Sequence, residues 1–245
     1  MLLWIIGFGI LGSIGAIAGA AALLFFPEGI RRVVVPWLIS YATGALLGAA
    51  FLGMIPAGLS HAPAFTVTAT VLAGIVLFFL LEKLVLWRHC HDSECAVHGR
   101  AGPLILIGDT FHNFVDGVVI AAAFITSIPL GIATALAVLA HELPQEVGDF
   151  AILLDSGYGR MKAFVLNTLS AAATLPGAVA AYFWLDEMSD AVPYVLALSA
   201  ASFIYIATAD LVPELHRQVT PAASFAQFVL LLAGIGTIAL FHFGS

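Results

Sequence analysis

The sequence predicts an all-α, polytopic membrane protein of eight transmembrane helices, and three observations predict it. The 245 residues are 62% hydrophobic and 9% charged, with a mean hydropathy of +1.08, against roughly 25% charged in soluble domains. Apolar runs of the about 20 residues needed to cross a hydrocarbon core of roughly 30 Å recur along the chain, separated by short polar breaks. The cationic residues all fall near alternate breaks, a segregation that one missed or invented span would scramble. With a formal net charge of −7, no nucleic-acid partner is expected.

The spans are expected at residues 1–26, 33–57, 63–87, 103–126, 129–154, 162–184, 192–216 and 221–243, as one transmembrane domain covering 1–245. The first has no cationic leader, is long and is followed by Arg31 and Arg32, so it reads as a retained helix despite the small residues from Ala16 to Ala22. Arg31, Arg32, Lys83, Arg88, Arg100, Arg160, Lys162 and Arg217 all lie near the breaks joining spans 1–2, 3–4, 5–6 and 7–8. The opposite side carries Asp186, Glu187 and Asp190. By the positive-inside rule the basic side is cytosolic and both termini are extracytoplasmic. The break at 88–102 is then a cytosolic loop holding His89, Cys90, His91, Cys95 and His98, whose two cysteines are expected as reduced thiols.

Besides Glu82, next to Lys83 near the end of span 3, seven acids fall inside these spans: Asp109, Asp116, Glu142, Glu146, Asp149, Asp210 and Glu214. An ionised carboxylate at mid-bilayer costs about 2.5 to 3.5 kcal/mol on insertion scales, so such groups line a cavity or pair with a cation. No Lys or Arg of the sequence lies at that depth, which leaves protons or a mobile cation. Geometry favours the cation. In span 4, His112, Asn113 and Asp116 share an arc of about 100°. In span 5, His141, Glu142 and Gln145 repeat the spacing, and Glu146 and Asp149 extend the stripe toward the cytosol. Imidazole, carboxylate and amide facing one another suit a divalent ion of the zinc, iron or manganese kind. Pro144, inside the second stretch, removes a backbone hydrogen bond and frees the Ala140 carbonyl.

The stretches "GDTFHNFVDG" and "HELPQEVGDF" are similar to the HNxxDG and HExPHExGD signatures of the ZIP family of divalent metal transporters, in the right order and on the right spans. The chain resembles that family across all eight spans, and "FIYIATADLVPELH" resembles the end of its seventh. The resemblance implies inverted repeats of spans 1–3 and 6–8 around spans 4 and 5, a homodimer, and metal bound between spans 4 and 5 on its way to the cytosol. It implies ligands at His112, Asn113, Asp116, His141 and Glu142, with Gln145 where the longer motif has a second His and other relatives a Glu. A neutral Gln145 bridges two metals poorly. Span 6 offers Asn167 and Ser170 but no carboxylate, so a second metal is not expected unless Glu146 supplies the charge. Ala49 and Gly53 stand where the family carries Asp and His on span 2. Family members with Glu at the position of His141 are associated with iron and manganese, which makes Zn2+ the expected cargo, with Cd2+, Fe2+ and Mn2+ as competitors. The expected location is the plasma membrane.

Other polar residues carry blander readings. His61 reads as a solvated loop residue, His216 and His242 as interfacial, and Asp210 and Glu214 as snorkelling acids. The Gly15/Gly19 and Gly44/Gly48 spacings read as close helix packing. The rival class is an intramembrane zinc metallohydrolase, since His141-Glu142-Leu143-Pro144-Gln145 is a near miss to HExxH. Its second His is replaced by Gln145 and a proline interrupts the helix. A proton channel would explain the acids but not the matched imidazoles and amides.

Overall fold

The computed structural model describes residues 1–89, 101–217 and 220–243, and the described residues are helical throughout, with no strand. The helices run α1 (Leu2–Leu24), α2 (Glu28–His61), α3 (Ala64–His89), α4 (Ala101–Thr126), α5 (Ile128–Asp155), α6a (Arg160–Ala171), α6b (Thr174–Glu187), α7 (Ser189–Leu215) and α8 (Pro221–Phe243). Each begins and ends within five residues of its expected span. Seven stretches are long and apolar enough to cross a membrane, all except α5; the chain is an integral membrane protein. Of the 88–102 loop, residues 90–100, with Cys90, His91, Cys95 and His98, lie outside the described residues.

The helices form two bundles. In one, α4 packs along α6b and α5, and α1 closes against α5 and α6b; in the other, α2 lies along α8 and α3 along α7. The bundles meet chiefly where α2 crosses α5. Lipid tails are as apolar as leucine, so helices associate in a membrane through close packing of small residues rather than through a hydrophobic drive. The core shows this: Ala42, Ala45, Ala49, Ala50, Ala121, Ala122, Ala137, Ala178, Ala200 and Ala207 are buried around a few large side chains such as Leu46, Phe124 and Phe203. Leu72, Leu80, Phe225 and Leu232 stay exposed on α3 and α8, as lipid-facing residues do.

Two glycine pairs set the closest approaches. A Cβ on Gly117 would run into the Thr174 carbonyl, and one on Gly177 into the Phe114 carbonyl, so α4 and α6b touch backbone to backbone. Gly44 and Gly234 do the same for α2 and α8, against the carbonyls of Leu231 and Tyr41. Within the Gly15/Gly19 pair, a Cβ on Gly19 would collide with the Leu143 side chain, which holds α1 tight on α5.

Three features break the expected regularity. Span 6 is interrupted at Ala172–Ala173, between α6a and α6b. The other two are wide π turns, Ala49–Met54 in α2 and Ile206–Leu211 in α7. In each, the residue before a proline bonds five residues back: Ile55 N–H to the Ala50 carbonyl ahead of Pro56, and Val212 N–H to the Ala207 carbonyl ahead of Pro213. Proline lacks the N–H and its ring clashes with the carbonyl four residues earlier; a wide turn relieves both faults. Ala49 and Gly53 belong to the first of these turns.

Candidate metal site

Ser127 alone joins α4 to α5, so the two helices form a hairpin. Its hydroxyl caps α5 by accepting from Leu130 N–H at 3.3 Å, with Pro129 in the first turn. At the far end α5 stops at Gly157, whose φ of 87° only glycine adopts freely. There Tyr158 N–H bonds the Leu153 carbonyl at 3.1 Å and Gly157 N–H the Leu154 carbonyl at 2.9 Å, a Schellman cap. His112 lies 15 residues before Ser127 and His141 14 after it. At about 1.5 Å per residue both imidazoles reach the same depth, about 21 Å from the turn.

There four side chains converge. The Nε2 atoms of His112 and His141 are 3.2 Å apart. His112 Nε2 is 3.2 Å from Glu142 Oε1 and 3.9 Å from Asp116 Oδ2; His141 Nε2 is 3.3 Å from Asp116 Oδ2 and 3.5 Å from Glu142 Oε1. All four ligand atoms lie within 4.8 Å of one another. A tetrahedral ion with N and O donors at about 2.0–2.1 Å keeps those donors about 3.3 Å apart, close to four of these five distances, 3.2 to 3.5 Å. Asp116, His141 and Glu142 are buried, while the His112 side chain keeps 21% exposure.

His141 Nδ1 is 3.0 Å from the Ala137 carbonyl, and since a carbonyl can only accept, Nδ1 carries a hydrogen, which in the neutral imidazole leaves Nε2 as the lone-pair nitrogen. This outer contact is the kind that fixes a metal-binding imidazole. Both oxygens of Asp116 and both of Glu142 are buried without a hydrogen-bond partner. Among the described residues the only Lys or Arg ion pairs are Arg32 with Glu28 and Arg217 with Glu214, both far from this group along the chain. The edge of the His141 ring rests on Phe203 of α7, with centroids 6.0 Å apart, so one wall of the site belongs to the other bundle.

The remaining expected ligands are placed differently. Asn113 donates to Asp109 Oδ1 at 3.0 Å and to the Asp109 carbonyl at 3.1 Å, while its Oδ1 accepts from Thr174 Oγ1 at 3.1 Å. Gln145 donates to Asp109 Oδ1 at 3.2 Å. Both amides thus donate to the same oxygen of Asp109. Glu146 is buried beside Asp109 and Glu142, and those three carboxylates form a second close group. Asp109, read in the sequence only as one of the acids within the spans, is the acceptor both amides share. The available signal was its place four residues before Asn113, on the same helix face. A hydrolase would need a second imidazole where Gln145 stands, and Gln145 is turned to Asp109.

Comparison with known proteins adds a family. A family model described as ZIP Zinc transporter matches residues 87–242. The chain is 35% identical to zinc transporter ZIP13 of Pongo abelii over 83% of this chain and 66% of that protein. It is 31% identical to human zinc transporter ZIP13 over 83% of this chain and 70% of the relative. Zinc transporter SLC39A7 of Mus musculus is 32% identical over 86% of this chain and 63% of its own length. The chain therefore spans about two thirds of the length of these relatives.

Proposed function

This chain belongs to the ZIP zinc transporter family, and from that premise we propose that it carries divalent metal ions, Zn2+ foremost, through the membrane toward the cytosol by way of the site between α4 and α5. The observation that carries the reading is the convergence of four ligand atoms, from His112, Asp116, His141 and Glu142, within 4.8 Å of one another, with no Lys or Arg paired to them among the described residues. Two carboxylates buried in this way call for a cation. Two neutral imidazoles and two carboxylates sum with a divalent ion to zero charge, so the loaded site suits a low-dielectric interior and can release its cargo. Imidazole nitrogens favour zinc and its neighbours, with Cd2+, Fe2+ and Mn2+ as competitors. Asn113 and Gln145, each donating to Asp109, and Glu146 belong to the same proposed metal-binding set.

The finer architecture belongs to the same proposal. α5, 28 residues long and so about 42 Å, is the eighth span; its acids keep it out of a count by composition, and neighbouring helices shield them. Both termini lie outside, with the basic loops cytosolic. The wide turns of α2 and α7, each beginning seven residues before a proline, support inverted repeats of α1–α3 and α6–α8 around α4 and α5. The working unit is a homodimer in the plasma membrane, and the 88–102 loop with its His and Cys residues is dispensable for flux.

Uptake of zinc by proteoliposomes tests the site. Asp116→Ala and His112→Ala should each abolish uptake while the protein elutes from gel filtration as the wild type does. Wild-type rates in either variant would remove the site from the path.

A further inference from the structure

We propose that Thr174, the first residue of α6b, is a positioning residue that sets the zinc affinity of the site, because its hydroxyl competes with the ion for the side-chain carbonyl of Asn113. This rests on the reading of Asn113 as a member of the metal-binding set. Thr174 acts through Asn113 and is not itself a ligand.

Thr174 and Asn113 are both buried. The Asp109 backbone carbonyl, 3.1 Å from the amide nitrogen of Asn113, can only accept, so Nδ2 faces Asp109 and Oδ1 faces Thr174, which donates to it from Oγ1 at 3.1 Å. Asn113 follows His112 directly and precedes Asp116 by three residues, inside the arc of α4 that carries both ligands. Its carbonyl is thus the one neutral oxygen of that arc, and a hydroxyl from another helix holds it. The hold is well placed. A Cβ on Gly117 would lie 2.0 Å from the Thr174 carbonyl, so α4 and α6b meet backbone to backbone beside this contact and keep the hydroxyl within reach.

Each partner of this amide has a substitute, which is what lets Asn113 turn. Thr174 Oγ1 also lies 2.9 Å from the Ala171 carbonyl. The interruption of span 6 leaves that carbonyl open, because Leu175 N–H, which would bond it in a continuous helix, bonds the Ala172 carbonyl at 3.2 Å. On the other side, Asp109 Oδ1 accepts from Gln145 at 3.2 Å as well as from Asn113 at 3.0 Å. Asn113 can therefore give its oxygen to an ion while the Thr174 hydroxyl falls back on Ala171 and Asp109 keeps Gln145. No buried donor or acceptor loses its last partner. A divalent cation attracts an amide oxygen more strongly than a hydroxyl does, so the ion wins the carbonyl, but at an affinity lowered by the hydrogen bond it displaces. A carrier gains from that, since the returning hydroxyl favours release.

Zinc binding to the purified protein in detergent, by calorimetry, and zinc uptake by proteoliposomes test this together. Thr174→Val removes the donor and should lower the Kd for zinc by a factor of about 3 to 10, the worth of one neutral hydrogen bond. KM and kcat of uptake should fall with it, because the ion leaves more slowly. Thr174→Ser keeps the hydroxyl and should retain wild-type affinity. Thr174→Ala should tighten binding as the valine does, and it replaces that variant if the valine protein fails gel filtration. In an Asn113→Ala background, Thr174→Val should change nothing, whereas a packing defect would weaken binding in either background. A Kd unchanged or raised by loss of the hydroxyl, or a tightening that persists without Asn113, would overturn the role of Thr174 alone. Wild-type affinity in Asn113→Ala would remove Asn113 from the metal-binding set and Thr174 with it. A wild type that binds no zinc would overturn the site itself.

Discussion

His141 donates its Nδ1 hydrogen to the Ala137 carbonyl one turn earlier in α5, at 3.0 Å, and this contact fixes what the other nitrogen can do. In the neutral ring Nε2 is then the lone-pair nitrogen, and it lies next to Asp116, Glu142 and His112. A helix carbonyl cannot leave its place, so the tautomer is built into the backbone.

The choice of metal should follow from that nitrogen. His141→Glu replaces a borderline donor by a hard one at the same point. The ratio of Zn2+ to Mn2+ uptake in proteoliposomes should fall, by about tenfold or more if the effect matches that of other changes around metal ligands. An unchanged ratio would mean that selectivity lies elsewhere.

Acid should weaken binding. The ligating forms are neutral imidazole and ionised carboxylate, and each takes up a proton as pH falls, so protons compete with the metal and its binding releases them. Zinc affinity should therefore drop between about pH 7.5 and pH 5.5, across the ordinary histidine range near 6.5. Calorimetry in buffers of different ionisation enthalpy would count the protons released; none released on zinc binding would exclude His112 and His141 as ligands.

Packing at the site is testable apart from its chemistry. Gly117→Ala sets a methyl group against the Thr174 carbonyl and the Ala178 backbone nitrogen, atoms that cannot swing aside. Such overpacking costs about 1–3 kcal/mol. The thermal midpoint in detergent should fall and zinc uptake with it, because α6b is forced off the helix that carries His112 and Asp116. Gly7→Ala on α1, where a Cβ meets nothing within 4 Å, is the matched control and should keep both stability and uptake.

Much of this was legible in the sequence. Apolar length located every helix, and a spacing of four residues in His112/Asp116 and of one in His141/Glu142, on helices joined by a tight turn, placed those four side chains together. What stayed hidden depended on a third helix. The contact that brings Asn167 of α6a to Glu146, and the sharing of Asp109 as an acceptor by Asn113 and Gln145, show only once the helices pack. Helical periodicity orders residues around one axis; it does not say which of two polar neighbours turns inward when a third element arrives. The break at Ala172–Ala173 and the two wide turns were hidden for a related reason, since alanine-rich helix and proline tolerance read alike in one dimension.

The wide turns of α2 and α7 make those rods sensitive to counting. Each holds one residue more than an even screw would, which rotates everything beyond it by about 100°. Deleting a single residue within Ala49–Met54 would restore regular winding locally, yet leave Pro56 to collide with a carbonyl and swing the Gly58 face away from its neighbour Val67. Substitutions at exposed Phe51 should pass unnoticed, while the loss of any one residue there would throw the outer end of α2 out of alignment.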